Sequence, residues 1–152
     1  MEEGFRRWAN PSSPHAEGRA ARALLEDARE RIKAALGWDG ELIFTSGASE
    51  ALAIGLNRAS RARKFASAVE HDAVFRAAPA AHLLSACAGV IELPDDLSDA
   101  VVAIQQVNPE TGTMLLETGD MHRDVVRRGG VLLADCSQCA GELPLPECDL
   151  SV

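Results

Sequence analysis

No stretch of this sequence is apolar for the length that a membrane-crossing helix needs. The opening residues, Met1-Glu2-Glu3-Gly4-Phe5-Arg6-Arg7-Trp8, lack the apolar core of a secretory signal. Basic residues are also scarce: 15 lysines and arginines stand against 23 acidic residues, for a net charge of −8. They lie scattered along helix faces rather than in one patch, so nucleic acid is not an expected partner. The four cysteines, with no signal ahead of them, point to a reducing cytoplasm rather than a disulfide framework. Neither Gly-x-x-x-x-Gly-Lys-Ser/Thr nor Gly-x-Gly-x-x-Gly occurs, which leaves Walker-type nucleotide and Rossmann dinucleotide sites without support. Aromatic residues make up 4%, while alanine, leucine and valine abound. That composition suits helices packed on a sheet, and 152 residues suffice for one domain with a sizeable core.

What the chain does have is organised around Leu42-Ile43-Phe44-Thr45-Ser46-Gly47-Ala48-Ser49-Glu50. Its first three residues predict a short buried strand, and Thr45 to Gly47 a tight turn. Ala48, Ala51, Leu52, Ile54 and Leu56 then recur at helical spacing to about Ala62, with Glu50 in the first turn. A helix N-terminus placed after such a turn offers backbone N–H groups to an anion, phosphate above all. An ordinary strand-to-helix turn has the same appearance, so this stretch alone does not assign a site.

Around it the chain alternates strand and helix. Residues 1 to 9 resemble a helix end, and Asn10-Pro11-Ser12-Ser13-Pro14-His15 a turn-rich loop. Glu17 to Leu36 carries an apolar stripe (Ala20, Ala23, Leu24, Ala28, Ile32, Ala35, Leu36) and stops at Gly37, with Lys33 expected to face water. Strands are expected at Phe65–Val69, Gly89–Leu93, Val101–Val107, Val131–Ala134 and from residue 148 onward. Helices are expected at Asp72–Ala78 and around Glu117–Arg128, and His82 and His122 are expected to be exposed. This order predicts an α/β fold, a mainly parallel sheet flanked by helices, whose ligands bind outside the carboxyl ends of the strands. Those ends carry Ser46 to Ser49, Glu70-His71, Asn108 and Asp135. A phosphate cradle, an imidazole, a carboxamide and a carboxylate together form a set suited to pyridoxal 5'-phosphate, whose pyridine nitrogen needs a carboxylate to stay protonated.

At these residues the chain resembles the class V aminotransferase group of pyridoxal-phosphate enzymes, and within it cysteine desulfurases of the iron–sulfur-assembly type. The matching segments are 10–15, Phe44–Glu50, Glu70–Val74, Val107–Gly112 and Asp135–Gln138, in the family's order. The resemblance implies the large cofactor domain of the pyridoxal-phosphate-dependent transferase (fold type I) architecture. It further implies that Ala48 and Ser49 hold the cofactor phosphate. His71, the catalytic residue that the resemblance places within this chain, would stack on the pyridine ring. Asn108 would reach the cofactor oxygen side or the substrate, although on its own an asparagine before Pro109 is as well explained as a turn-former. Asp135 would bind the pyridinium nitrogen and Gln138 the phenolic oxygen.

The implied reaction takes sulfur from L-cysteine to give L-alanine and an enzyme persulfide, passed to a sulfur-acceptor or scaffold protein by a cytoplasmic homodimer. The family's Schiff-base lysine, persulfide cysteine and carboxylate-binding arginine are expected beyond Val152, and its first strand before Met1. The only lysines, Lys33 and Lys64, do not sit at the matching place. Residues 1–152 are thus expected to be a partial large domain, inactive alone. Three other readings stand beside this one: a selenocysteine lyase or aminotransferase of the same fold, a non-catalytic binding module, and a metal or redox protein built on Cys136-x-x-Cys139. For that last motif packing is the expected role, since Cys87 and Cys148 are isolated and no metal ligands are assigned.

Overall fold

The computed structural model describes residues 8–116 and 119–152. The chain divides into two units, Met1–Ile43 and Phe44–Val152. The expected helix end at residues 1 to 9 lies almost wholly outside the described residues; Trp8 to Asn10 are irregular.

In the first unit, helix α1 spans Ala16–Leu36. Asn10 opens its approach, with Oδ1 accepting from Ser12 N at 2.9 Å and the carbonyl accepting from Ser13 N at 3.0 Å. Gly37 closes the helix in the left-handed region at φ 65°, which a glycine adopts without steric cost. Trp38 N then donates to Lys33 O at 3.0 Å. Lys33 departs from its expected place in water: its side chain is 23% exposed, with Nζ 3.9 Å from Glu30 Oε1. Its aliphatic stem packs while its ammonium stays near a charge.

The largest departure is at Leu42-Ile43-Phe44. Residues 41–45 form no strand, and Ile43 is 75% exposed. Apolar β-branched composition favours a strand, yet a strand exists only where neighbouring backbone completes its hydrogen bonds. Here the Leu42 carbonyl accepts instead from Arg29 Nε at 2.9 Å.

The second unit is built on a five-stranded sheet in the order β2-β1-β5-β6-β7, with every pairing parallel. Its strands are β1 (Arg63–Ser67), β2 (His82–Leu84), β5 (Ala100–Gln105), β6 (Val131–Asp135) and β7 (Leu150–Ser151). A small antiparallel pair, β3 (Ala86–Cys87) and β4 (Val90–Ile91), stands apart. Helices α2 (Ala48–Arg58), α3 (Asp72–Ala77) and α4 (Asp120–Arg127) complete the unit. Among the described residues no helix is long and apolar enough to cross a membrane.

Burial explains the continuous apolar runs of β5 and β6, because parallel strands covered on both faces lose the polar alternation. Val101, Ala103 and Leu133 pack with Leu52 and Leu56 of α2 and Ala73 and Val74 of α3. Val102, Ile104, Leu132 and Ala134 pack on the other face with Val125 of α4 and Leu97, Leu115 and Leu116. Gly55 brings α2 close to β6, for a Cβ there would meet Leu133 Cδ1 at 2.4 Å.

Several element bounds differ from expectation. Helix α2 ends at Arg58, four residues before the expected Ala62. Strand β5 stops at Gln105, and Val107 instead forms an isolated antiparallel bridge with Met114. Residues 117 and 118 of the expected Glu117–Arg128 helix lie outside the described residues. Strands β2 and β3 have no counterpart in the sequence reading, because three- and two-residue strands carry too little periodicity to register. His82 is exposed as expected, but His122 is half-buried with Nε2 3.3 Å from Asp149 Oδ2.

Candidate functional site

Because all five strands run parallel, their carboxyl ends share one edge, and β5 and β6 end level with each other where Gln105 pairs with Asp135. Each end passes into a polar turn. Strand β1 leads through Ala68-Val69-Glu70 to His71, β5 through Gln106 and Val107 to Asn108, and β6 into Cys136-Ser137-Gln138. One pocket is lined by Ala48 and Ser49 of α2 together with His71, Gln105, Asp135, Ser137 and Gln138. Five of the six sequence-nominated residues therefore meet in one place. The sixth, Asn108, borders an adjoining hollow that shares His71, Gln105 and Pro109 with the first.

Ala48 and Ser49 are the first two residues of α2, ahead of the turn in which helical N–H groups find partners. The first such bonds join Glu50 N and Ala51 N to Gly47 O, both at 3.1 Å. Glu50 reaches back to accept from Ser46 N at 2.6 Å, and this bond holds its carboxyl below the usual range. The first-turn glutamate thus stabilises the turn rather than filling the pocket.

His71 caps α3. Its Nδ1 accepts from Ala73 N at 3.1 Å, which fixes the ring's orientation and assigns the proton of the neutral imidazole to Nε2. The ring is exposed on the pocket side rather than sunk in the core. Asp135 is 7% exposed, and Ser137 gives it two hydrogen bonds, from N at 3.0 Å and from Oγ. Both fall on Oδ1, so Oδ2 keeps its acceptor capacity. Gln138 is exposed at the pocket wall.

Asn108 is heavily engaged within the chain. Its Oδ1 accepts from Glu110 N, Thr111 N and Thr111 Oγ1 at 2.9, 3.0 and 3.2 Å, and its Nδ2 donates to Val69 O at 3.2 Å. The turn-forming reading of Asn108 is the one these bonds express. Gln105, Ser137 and Glu70 have no role in the sequence reading. Only their position at strand ends hinted at one, since a buried carboxylate such as Glu70 shows itself through tertiary contacts.

Among the described residues no cluster of three or more His, Cys, Asp or Glu is placed to hold an ion. Cys136 and Cys139 are buried, and Cys139 Sγ donates to Gln106 Oε1 at 2.8 Å. Burial pushes the Cys136 thiol up to about 12 and that of Cys148 to about 11. A thiol held protonated is a poor nucleophile. With limiting iodoacetamide at neutral pH, mass spectrometry is expected to find the exposed Cys87 modified first. Cys136 should react only after denaturation; equal labelling of the two would contradict the burial.

Comparison with known proteins gives the pocket its context. The family model described as aminotransferase class-V matches residues 2–150. A cysteine desulfurase of Frankia sp. (strain EuIK1) is 33% identical over 91% of this chain and 40% of its own length. The chain thus spans about two-fifths of that relative. A solved NifS-like protein structure shares a TM-score of 0.77 at 26% identity, covering 96% of this chain and 46% of the other. The NifS-like protein from Rickettsia africae superimposes with a TM-score of 0.77 at 22% identity, over 95% and 45% of the two chains, and speaks to the fold alone.

Proposed function

Since the chain belongs to the class-V aminotransferase family, we propose that its pocket forms the pyridoxal 5'-phosphate site in the large domain of a cysteine desulfurase. The observation that carries this reading is the donor set of the pocket. A helix N-terminus at Ala48 and Ser49, an oriented imidazole at His71, a buried carboxylate at Asp135 and a carboxamide at Gln138 line one hollow. Those groups match a phosphate, an aromatic face, a pyridinium N–H and a phenolic oxygen, so the residues present fit the cofactor.

In this reading, the N–H groups of Ala48 and Ser49 and the Ser49 hydroxyl would hold the phosphate. Asp135 would hold a proton on the ring nitrogen, with Oδ1 fixed by Ser137 and Oδ2 available to the N–H. His71 would pack on the ring face, its plane set by the bond from Ala73 N. Gln138 would donate to the phenolic oxygen, and Asn108 would shape the neighbouring wall. When bound, the cofactor supplies an electron sink for breaking bonds of an amino-acid substrate. No lysine lines the pocket among the described residues, and this unit is proposed to work within a longer homodimeric, cytoplasmic protein that passes sulfur to an acceptor of iron–sulfur assembly.

Two measurements test the proposal. Pyridoxamine 5'-phosphate, which needs no lysine, is expected to bind the chain in a fluorescence titration and to be displaced by pyridoxal 5'-phosphate. In a protein extended to the relatives' full length, L-cysteine should release alanine faster than other amino acids do. Absence of binding would overturn the cofactor site. Equal rates across amino acids would overturn the desulfurase and leave the family's other activities.

A further inference from the structure

One buried titratable group plays no part in the proposed function. Glu70 is 7% exposed at the end of the β1 turn, immediately before His71. Its Oε1 accepts from Ser67 Oγ and from Gln105 N, the latter at 2.9 Å. Its Oε2 is buried with no hydrogen-bond partner among the described residues. The neighbouring Val69 carbonyl accepts from Gln105 Nε2 and from Asn108 Nδ2. Residues 69 and 70 thus tie the turn that carries His71 to the end of β5.

An ionised carboxylate with one buried, unpaired oxygen carries a desolvation cost that the two donors on its other oxygen do not cover. Asp135, beside Gln105 on β6, adds a like charge, and two carboxylates in one site favour a proton on one of them. Asp135 lines the pocket and takes two donors from Ser137, whereas Glu70, buried to the same 7%, borders the adjoining hollow with its Oε2 unpartnered. His71, Asp72 and Glu110 are the other titratable groups around the adjoining hollow.

We infer that Glu70 is a positioning residue that works as an uncharged carboxylic acid, holding the His71 turn against β5 beside the Asp135 carboxylate of the pocket. The positioning rests on the geometry alone; its value to a cationic ring nitrogen at Asp135 rests on the cofactor reading above. The electrostatics agree in direction: burial raises the Glu70 carboxyl most, the hydrogen bonds from Ser67 and Gln105 lower it and the charge of Asp135 raises it, which together bring it to about 7.

The test begins without cofactor. In the wild-type chain carrying ¹³C-labelled glutamate carboxyls, the Glu70 resonance should titrate near neutrality. Titration in the ordinary glutamate range would overturn the inference and needs no variant to fold. In E70A the Gln105 backbone amide and the His71 ring resonances should shift, and E70Q, which keeps the accepting oxygen without charge, should restore them. Unmoved resonances in E70A, or no restoration in E70Q, would overturn the positioning role.

Titration with pyridoxamine 5'-phosphate then separates the two ideas. E70A should weaken binding by about tenfold, the size expected for orphaning a buried donor, with E70Q close to wild type. Failure of the wild-type chain to bind would remove the cofactor reading, while the carboxyl titration and the resonance shifts would still decide the case of Glu70.

Discussion

Replacing Asp135 by Asn is expected to weaken pyridoxamine 5'-phosphate binding by about ten- to a hundredfold while leaving the fold in place. The substitution keeps the shape and an oxygen for Ser137 N and Oγ, so the local hydrogen bonds that orient the group survive. What disappears is the negative charge. A hydrogen bond from a pyridinium N–H to a carboxylate is charge-assisted, roughly twice as strong as its neutral counterpart. In a site 7% exposed, solvent does little to make good the loss. A fluorescence titration at constant ionic strength reads the effect, and urea unfolding of the same sample checks the fold. Unchanged affinity would show that Asp135 does not meet the ring nitrogen. The variant should also lower the Glu70 titration, because the charge of Asp135 is one of the causes holding it up.

A second large effect is expected in the pH dependence of stability, and its sign is opposite to that of most carboxylates. Burial raises Glu70 from 4.5 to about 7 in the folded chain. An acid with a raised pKa keeps its proton in the folded state over a range where the unfolded chain has released it. Its contribution to stability is therefore full below pH 4.5, declines as pH rises, and levels off above about 7. The decline amounts to ~3 kcal/mol if the whole shift is expressed.

Comparing E70Q with wild type isolates this term. Groups that act the other way are shared by both proteins and cancel in the difference. Asp96, for example, is held at about 2 by Ser98 and Arg63. Urea midpoints measured across the acidic to mildly alkaline range should show E70Q gaining on wild type as pH rises toward neutrality. A difference that stays flat would mean that Glu70 titrates alike in the folded and unfolded chain.

The same residue shows where reading the chain in order reaches its limit. Continuous apolar runs at 101–104 and 131–134 announced parallel strands buried on both faces, and the structure has them as β5 and β6. The helical stripe ending at Gly37 and the short Asp72 helix likewise rest on spacing within a few residues, and both formed close to their expected bounds. The kinds of residue at the strand ends were legible too: in a parallel sheet the carboxyl ends share an edge, so Asp135 and His71 had to approach one another once the strands were placed.

Elsewhere local pattern misled. Leu42-Ile43-Phe44 has strand composition and forms none, because its backbone partners depend on residues elsewhere in the chain. Strand β2 has little composition to recommend it and forms against β1.

The amino-acid order by itself determined the α/β alternation, the doubly buried strands and the chemistry carried to one edge of the sheet. Those features follow from periodicities of two and 3.6 residues and from which side chains water rejects. Only the tertiary structure decided which polar groups satisfy each other: Asn108 folding its carboxamide into its own turn and toward Val69, Gln105 joining the pocket wall, and Glu70 meeting a backbone N–H 35 positions away. Hydrogen bonding and burial of that kind are set by residues distant in the chain, and no local pattern encodes their distance.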